Sequence, residues 1–211
     1  MASDQMASLI DLVNSEASRL RDFLAELDER ALSQNSACAG WKLGDVVAHL
    51  AIASETWASS LTRALAGDAG PPAGQSFLAP GERGSEGTAQ VAVAAFQTKG
   101  LKLLEDYDTG YERLAQVLAK IRAEDWDKPC YHRRGPMPVQ NYVALRVQEL
   151  AVHAWDIRSG LDPAAEMWEE ALPQLVNMVP RWLRTAFIPG QGLPEPARYR
   201  FNVTGPAAVN Q

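Results

Sequence analysis

Three histidines and two cysteines are all that this chain of 211 residues has of the side chains that most often ligate soft metals or attack electrophiles. Cys38 and Cys130 stand far apart, which excludes a disulfide framework and a cysteine-based metal motif. Both read as structural residues of a protein in a reducing cytoplasm. Basic charge is also in short supply. A net charge of −6 argues against a nucleic-acid partner, which calls for a basic surface. No apolar run approaches the roughly 18–20 residues of a membrane span. The opening "MASDQMASLI" has neither the basic stretch nor the apolar stretch of a secretion signal. What is present, 46% hydrophobic and 22% charged residues, is the composition of a globular protein.

Hydrophobic periodicity then predicts helices. Leu9, Val13, Ala17, Leu20, Leu24 and Leu27 recur every three or four positions, so one amphipathic helix is expected from Ser3 to about Arg30. A second is expected from Leu43 to Ala66 on the stripe Val46, Leu50, Ala53, Trp57 and Leu61. A third is expected from Val91 to Ala123, and a fourth from Val139 to Ser159, stopping at Gly160. Asp162 and Pro163 offer a cap and a first-turn proline for a fifth helix, which Pro173 and Pro180 would interrupt or kink. Between the second and third helices, the Gly- and Pro-rich stretch from Gly67 to Gly87 predicts a long surface loop, a plausible cover for a site. In "RYRFNVTGP", Tyr199, Phe201 and Val203 alternate with polar residues as in a strand with no obvious partner in the chain.

The polar residues of the fourth helix raise the functional question. Val143, Val147, Leu150, Ala154 and Ile157 form its core seam. Along one flank of that seam lie Tyr142, Arg146, Glu149, His153 and Asp156. Glu149 and His153, four residues apart, share a face. On the second helix, His49 sits at the margin of the apolar stripe. In a bundle these margins can face each other, and two imidazoles with one carboxylate form a set that Zn²⁺ accepts, with a fourth position left open. The same residues also fit a surface helix pair and a core histidine bonded to a carbonyl. Arg146 is a candidate clamp for a carboxylate of substrate or cofactor, or an ion-pair partner of Glu149. Asp156 is a candidate for orienting a ligand histidine, or a helix-end charge. His132, Arg133 and Arg134 form a basic cluster that reads either as bait for an acidic ligand or as a solvated loop.

"WKLGDVVAHL" from Trp41 and "VQELAVHAWDI" from Val147 resemble the two signature segments of the mycothiol-dependent maleylpyruvate isomerase family, within the DinB-like superfamily. The resemblance runs from the first helix to about Phe187. It implies an all-α, DinB-like four-helix up-and-down bundle, with an additional C-terminal helix and a short terminal strand. Residues 1–190 would form the bundle, and residues 191–211 would resemble the start of a truncated α+β domain. It implies a divalent metal, usually zinc, held by His49, Glu149 and His153, with mycothiol as the thiol cofactor. It further implies an enzyme acting on an electrophilic small molecule: a maleylpyruvate isomerase-like cis–trans isomerase, or alternatively a mycothiol S-transferase or a non-catalytic binding module. Arg146 and Asp156 are the candidate catalytic residues on this reading. Oligomeric state is not fixed by the sequence.

Overall fold

The computed structural model describes residues 2–79, 82, 85–186, 198, 200, 202–203 and 209–210. The described residues form seven α-helices and two short antiparallel hairpins: α1 (Ala2–Leu24), α2 (Glu29–Leu32), α3 (Leu43–Leu65), α4 (Ser85–Lys99), α5 (Lys102–Leu118), the strands β1 (Pro129–Cys130) and β2 (Met137–Pro138), α6 (Val139–Leu161), α7 (Leu172–Ala186), and the strands β3 (Asn202–Val203) and β4 (Val209–Asn210). Helices α1, α3, α5 and α6 make the four-helix bundle, with α3 packed on α5, α6 and α4, and α1 packed on α6 and α5. No helix among the described residues is long and apolar enough to cross a membrane.

The periodic stripes become the core. Val13, Ala17, Leu20 and Leu24 of α1 are buried, as are Val46, Leu50 and Leu61 of α3 and the entire seam Val143, Val147, Leu150, Ala154 and Ile157 of α6. Each fully buried leucine contributes about 1.5–3 kcal/mol by leaving water. Helix α3 starts sharply because Asp45 reaches back to accept the Lys42 backbone N–H at 2.7 Å.

Several boundaries differ from the sequence expectation, each for a local reason. The first helix ends at Leu24, six residues before Arg30, because Asp28 opens a new helix by accepting the Ala31 N–H at 2.7 Å. The expected single third helix is two helices. Gly100, at φ +53°, closes α4 through its N–H to the Phe96 carbonyl, and α5 starts afresh. The fourth helix runs through Gly160 to Leu161. Gly160 serves as a contact point: a Cβ there would lie 2.6 Å from the Asn35 carbonyl oxygen. Asp162 and Pro163 do not open the fifth helix. Asp162 instead accepts the Ala164 N–H within a turn, and α7 begins at Leu172 with Pro173 in its first turn and Pro180 inside. The terminal strand does have a partner, since Val203 pairs with Val209. Tyr199 and Phe201 lie outside the described residues.

This close approach of Asn35 and Gly160 positions the site. The loop before α3 is bonded to α6 by the Ala37 N–H on the Asp156 carbonyl at 3.0 Å. It is closed on itself by the Ser36 N–H on the Trp41 carbonyl at 2.9 Å. The N-terminal half of α3 is thus held in a fixed register against the C-terminal half of α6, and His49 comes to rest opposite Glu149 and His153.

Candidate metal centre

His49 Nε2 lies 3.1 Å from Glu149 Oε2, and His153 Nε2 lies 3.7 Å from the same oxygen. The imidazole rings of His49 and His153 meet edge to face with centroids 5.0 Å apart. One ligand atom from each of the three residues falls within 4.8 Å of the other two. Donors at 2.0–2.2 Å from a tetrahedral ion are separated by roughly 3.4 Å. The observed separations bracket that value, so the three side chains fit a divalent ion. All three are partly buried, with 16%, 26% and 19% of the side chains of His49, Glu149 and His153 exposed. Burial pushes the Glu149 carboxyl up. The His49 hydrogen bond and the charges of His153, His49 and Arg146 outweigh it and hold the carboxyl below its ordinary value. The group therefore stands as a carboxylate, the form that ligates metal.

Asp156 stands where an orienting residue belongs. It is buried, and its Oδ2 lies 2.8 Å from His153 Nδ1. With Nδ1 engaged as a donor to the carboxylate, Nε2 is left as the lone-pair nitrogen facing Glu149. Trp41 packs edge-on to His49 at 5.6 Å, closing the other side.

Arg146 occupies a different place from a clamp at the cavity wall. Its side chain is 1% exposed in the bundle core, where Nη2 donates to Ser54 Oγ at 2.6 Å and the guanidinium lies 5.5 Å from the Trp57 ring. Among the described residues no ion pair joins it to Glu149 within bonding distance. Its charge still acts on Glu149 through the interior. Burial lowers the Arg146 pKa against the opposing pull of Tyr107, Glu149 and Tyr142.

A cavity of about 480 Å³ opens beside the cluster, with His49 and Glu149 in its wall. Nothing in the sequence joined several of its residues into one site. Trp57 and Tyr142 stack at 5.0 Å with an interplanar angle of 19°, and Trp57 Nε1 donates to the Tyr142 carbonyl. The turn between β1 and β2 brings Tyr131, His132 and Arg133 into the wall. His132, first of the basic cluster with Arg133 and Arg134, is half-buried in that wall, so a fully solvated loop does not describe it. Burial, then the charges of Arg133, Arg181 and Arg134, lower its pKa to about 4 against the pull of Glu149. The signal for Trp57 was available. His49, Ala53, Thr56 and Trp57 line one face of α3 and all reach the cavity. The Gly/Pro loop runs past the same turn: the Leu78 N–H bonds the Arg133 carbonyl at 2.8 Å, and Gln75 joins the cavity wall.

The cysteines stand apart from this chemistry. Cys130 is fully buried, and burial pushes its thiol up to about 12. The Cys38 thiol is also raised, by burial and by Asp156. Neither is an activated nucleophile.

Fold and site together define a four-helix bundle whose α3 and α6 present two histidines and a carboxylate, the donor set of a metal site, at one end of a cavity. Residues 13–158 match the mycothiol maleylpyruvate isomerase N-terminal domain, and the chain belongs to that family. Its fold is similar to the crystal structure of a mycothiol-dependent maleylpyruvate isomerase, with a TM-score of 0.67 and 17% sequence identity over 85% of this chain and 72% of the other. It is also similar to a histidine-to-alanine mutant of a mycothiol-dependent maleylpyruvate isomerase, with a TM-score of 0.66 and 16% identity over the same shares. No curated protein matches the chain.

Proposed function

We propose that this chain is a metal-dependent, mycothiol-using enzyme that acts on an electrophilic small molecule, with cis–trans isomerisation as its reaction. The observation that carries this reading is the convergence of His49, Glu149 and His153 at the edge of a cavity large enough for small ligands. Membership in a family named for mycothiol and maleylpyruvate isomerase supports it. A divalent metal bound there would supply a thiolate at neutral pH by lowering the pKa of a coordinated thiol, and a thiolate adds reversibly to electron-poor double bonds. The chain's own residues have the supporting tasks. His49, Glu149 and His153 hold the ion. Asp156 fixes the His153 tautomer. Arg146, from the core, favours the anionic form of Glu149. Trp57 and Tyr142, stacked on each other, give the cavity a rigid aromatic wall.

The test is a stoichiometry followed by a titration. Purified protein should hold about one divalent metal per chain, and His153→Ala should lose it while His132→Ala keeps it. Full occupancy in His153→Ala would move the site elsewhere. Mycothiol should bind the metal-loaded protein and release a proton on binding, measured as a buffer-dependent heat. The product formed from a cis-enone acid then identifies the reaction. A trans acid with the thiol regenerated is isomerisation, and a stable sulfur conjugate is S-transfer.

A further inference from the structure

Three contacts tie α3 to α6 like rungs along one edge of the site. His49 Nε2 meets Glu149 Oε2 at 3.1 Å, Ser54 Oγ accepts a hydrogen bond from Arg146 Nη2 at 2.6 Å, and the Trp57 ring stacks on Tyr142 at 5.0 Å. Rising residue numbers on α3 meet falling ones on α6, so the two helices run antiparallel here. Successive rungs are three to five residues apart, about 4.5–7.5 Å of helix rise. The Arg146 guanidinium thus lies between the metal ligands and the aromatic wall of the cavity, one rung from each.

Packing does not explain a cation at that rung. Arg146 is buried in the core, and its Nε and Nη1 have no hydrogen-bond partner among the described residues. The partner of Nη2 is neutral: Ser54 Oγ, whose own proton goes to the Leu50 carbonyl at 2.9 Å. The Trp57 ring at 5.5 Å adds a weak attraction. A buried cation with so few partners is unfavourable, and an apolar side chain of like volume would fill the same space without that penalty. Glu149 does not depend on this charge, because the two imidazole nitrogens already stand at 3.1 and 3.7 Å from its carboxylate. What remains for the charge to act on is the open position beside Glu149. A fixed positive charge one rung away strengthens the binding of an anion there and leaves a neutral ligand unaffected.

We propose that Arg146 is a positioning residue whose buried charge makes the metal site take an anion, such as a thiolate, in preference to a neutral ligand at its open position. This rests on the metal reading of His49, Glu149 and His153, and not on mycothiol or on any particular reaction. The same charge repels the metal ion, so the site holds a divalent ion less tightly than its three donors alone would. The two effects share a cause and have opposite signs. That separates them from a role in packing, whose loss would weaken the metal and every ligand together. At such separations in a protein interior, one unit charge alters the binding of another by about tenfold or more, and that of a divalent ion by still more.

The experiment loads the full chain with Co²⁺, whose visible spectrum reports its ligands. It then titrates the protein, at one mildly alkaline pH, with thiocyanate and with imidazole, an anion and a neutral ligand for the same position. Arg146→Met removes the charge and keeps most of the volume. It should bind thiocyanate at least about tenfold more weakly and hold Co²⁺ at least about tenfold more tightly against a chelator, with imidazole binding unchanged. Ser54→Ala removes the hydrogen bond and keeps the charge, so it should retain all three affinities. Melting temperatures show that the bundle is intact, and Arg146→Leu replaces Arg146→Met if the latter does not fold. Thiocyanate affinity unchanged in Arg146→Met would overturn the proposal, as would an equal loss of thiocyanate and imidazole affinity or weaker Co²⁺ binding in that variant. Absence of Co²⁺ binding by the unaltered chain, or full Co²⁺ binding by His153→Ala, would instead sink the metal reading and the role of Arg146 with it.

Discussion

At the scale of single residues, the metal site turns on Asp156. His153 faces Glu149 through Nε2 only because the other ring nitrogen is engaged at 2.8 Å by a buried carboxylate. Asp156→Asn keeps the shape and loses the charge, and its amide can present a donor to Nδ1 and so favour the wrong tautomer. Metal affinity should fall by about 10–100-fold, the usual cost of losing a partner behind a ligand histidine. Competition with a chromophoric chelator measures it, and an unchanged affinity would make Asp156 a mere helix-end charge. The spacing of Glu149, His153 and Asp156 along α6 was legible in the sequence, because polar side chains on the margin of an apolar seam need a reason to be there. The role of Arg146 was not legible. It shares that margin, yet its long side chain turns inward to Ser54 and Trp57, and a helical projection shows the direction of Cβ rather than where a four-bond side chain ends.

At the scale of elements, the metal cluster depends on the register between α3 and α6. That register is set where the backbone at Asn35 and Ser36 passes over Gly160. Gly160→Ala places a methyl 2.6 Å from the Asn35 carbonyl oxygen, and backbone cannot swing aside as a side chain would. The variant should lose about 1–3 kcal/mol of stability, and it should bind metal more weakly because His49 is displaced with the loop. Thermal unfolding checks the first effect and metal titration the second. An unshifted melting temperature would show that the loop does not rest on α6 as described. The helices of the bundle were readable because their stripes are long and periodic. Their ends were less so. The apolar residues of α4 form no clear stripe while those of α5 do, so periodicity alone did not mark the break at Gly100. Asp162 and Pro163 carry local start signals, but tertiary contacts hold the following stretch as a turn: Trp155 donates to the Ala165 carbonyl and Arg158 to the Glu166 carbonyl. The cavity wall was the least legible part, because Tyr131 and His132 reach it from a hairpin turn that no helical pattern anticipates.

At the scale of the whole molecule, one buried group links stability to pH. Glu16 of α1 is fully buried, and both carboxylate oxygens lack a hydrogen-bond partner among the described residues. Beside it, Trp168 lies between the guanidiniums of Arg158 at 4.4 Å and Arg19 at 5.1 Å, and Arg19 holds Glu170 through both carboxylate oxygens. Burial raises the Glu16 carboxyl from 4.5 to about 7, with Glu170 adding to the rise and Arg19 and Arg158 opposing it. Across that window the folded protein retains a proton that the unfolded chain has released. The contribution of Glu16 to stability is thus fully present below pH 4.5 and is lost as pH rises through about 7. The loss amounts to at most about 3 kcal/mol. Glu16→Gln should flatten that slope and raise the denaturant midpoint at pH 8 while leaving it little changed at pH 5. Equal midpoint shifts at the two pH values would show that Glu16 does not titrate there.

The whole molecule also carries the central claim, which is that the chain's own thiols are spectators and the site works only with a metal and an added thiol. The burial of Cys130 and the raised thiols of both cysteines are the structural side of that claim. The direct measurement follows the isomerisation of a cis-enone acid by metal-loaded protein with and without mycothiol, alongside the Cys38→Ser, Cys130→Ser and His49→Ala variants. Turnover is expected only with mycothiol, retained in both cysteine variants and abolished in a folded His49→Ala protein; equal turnover without the thiol would contradict an added thiol as the nucleophile.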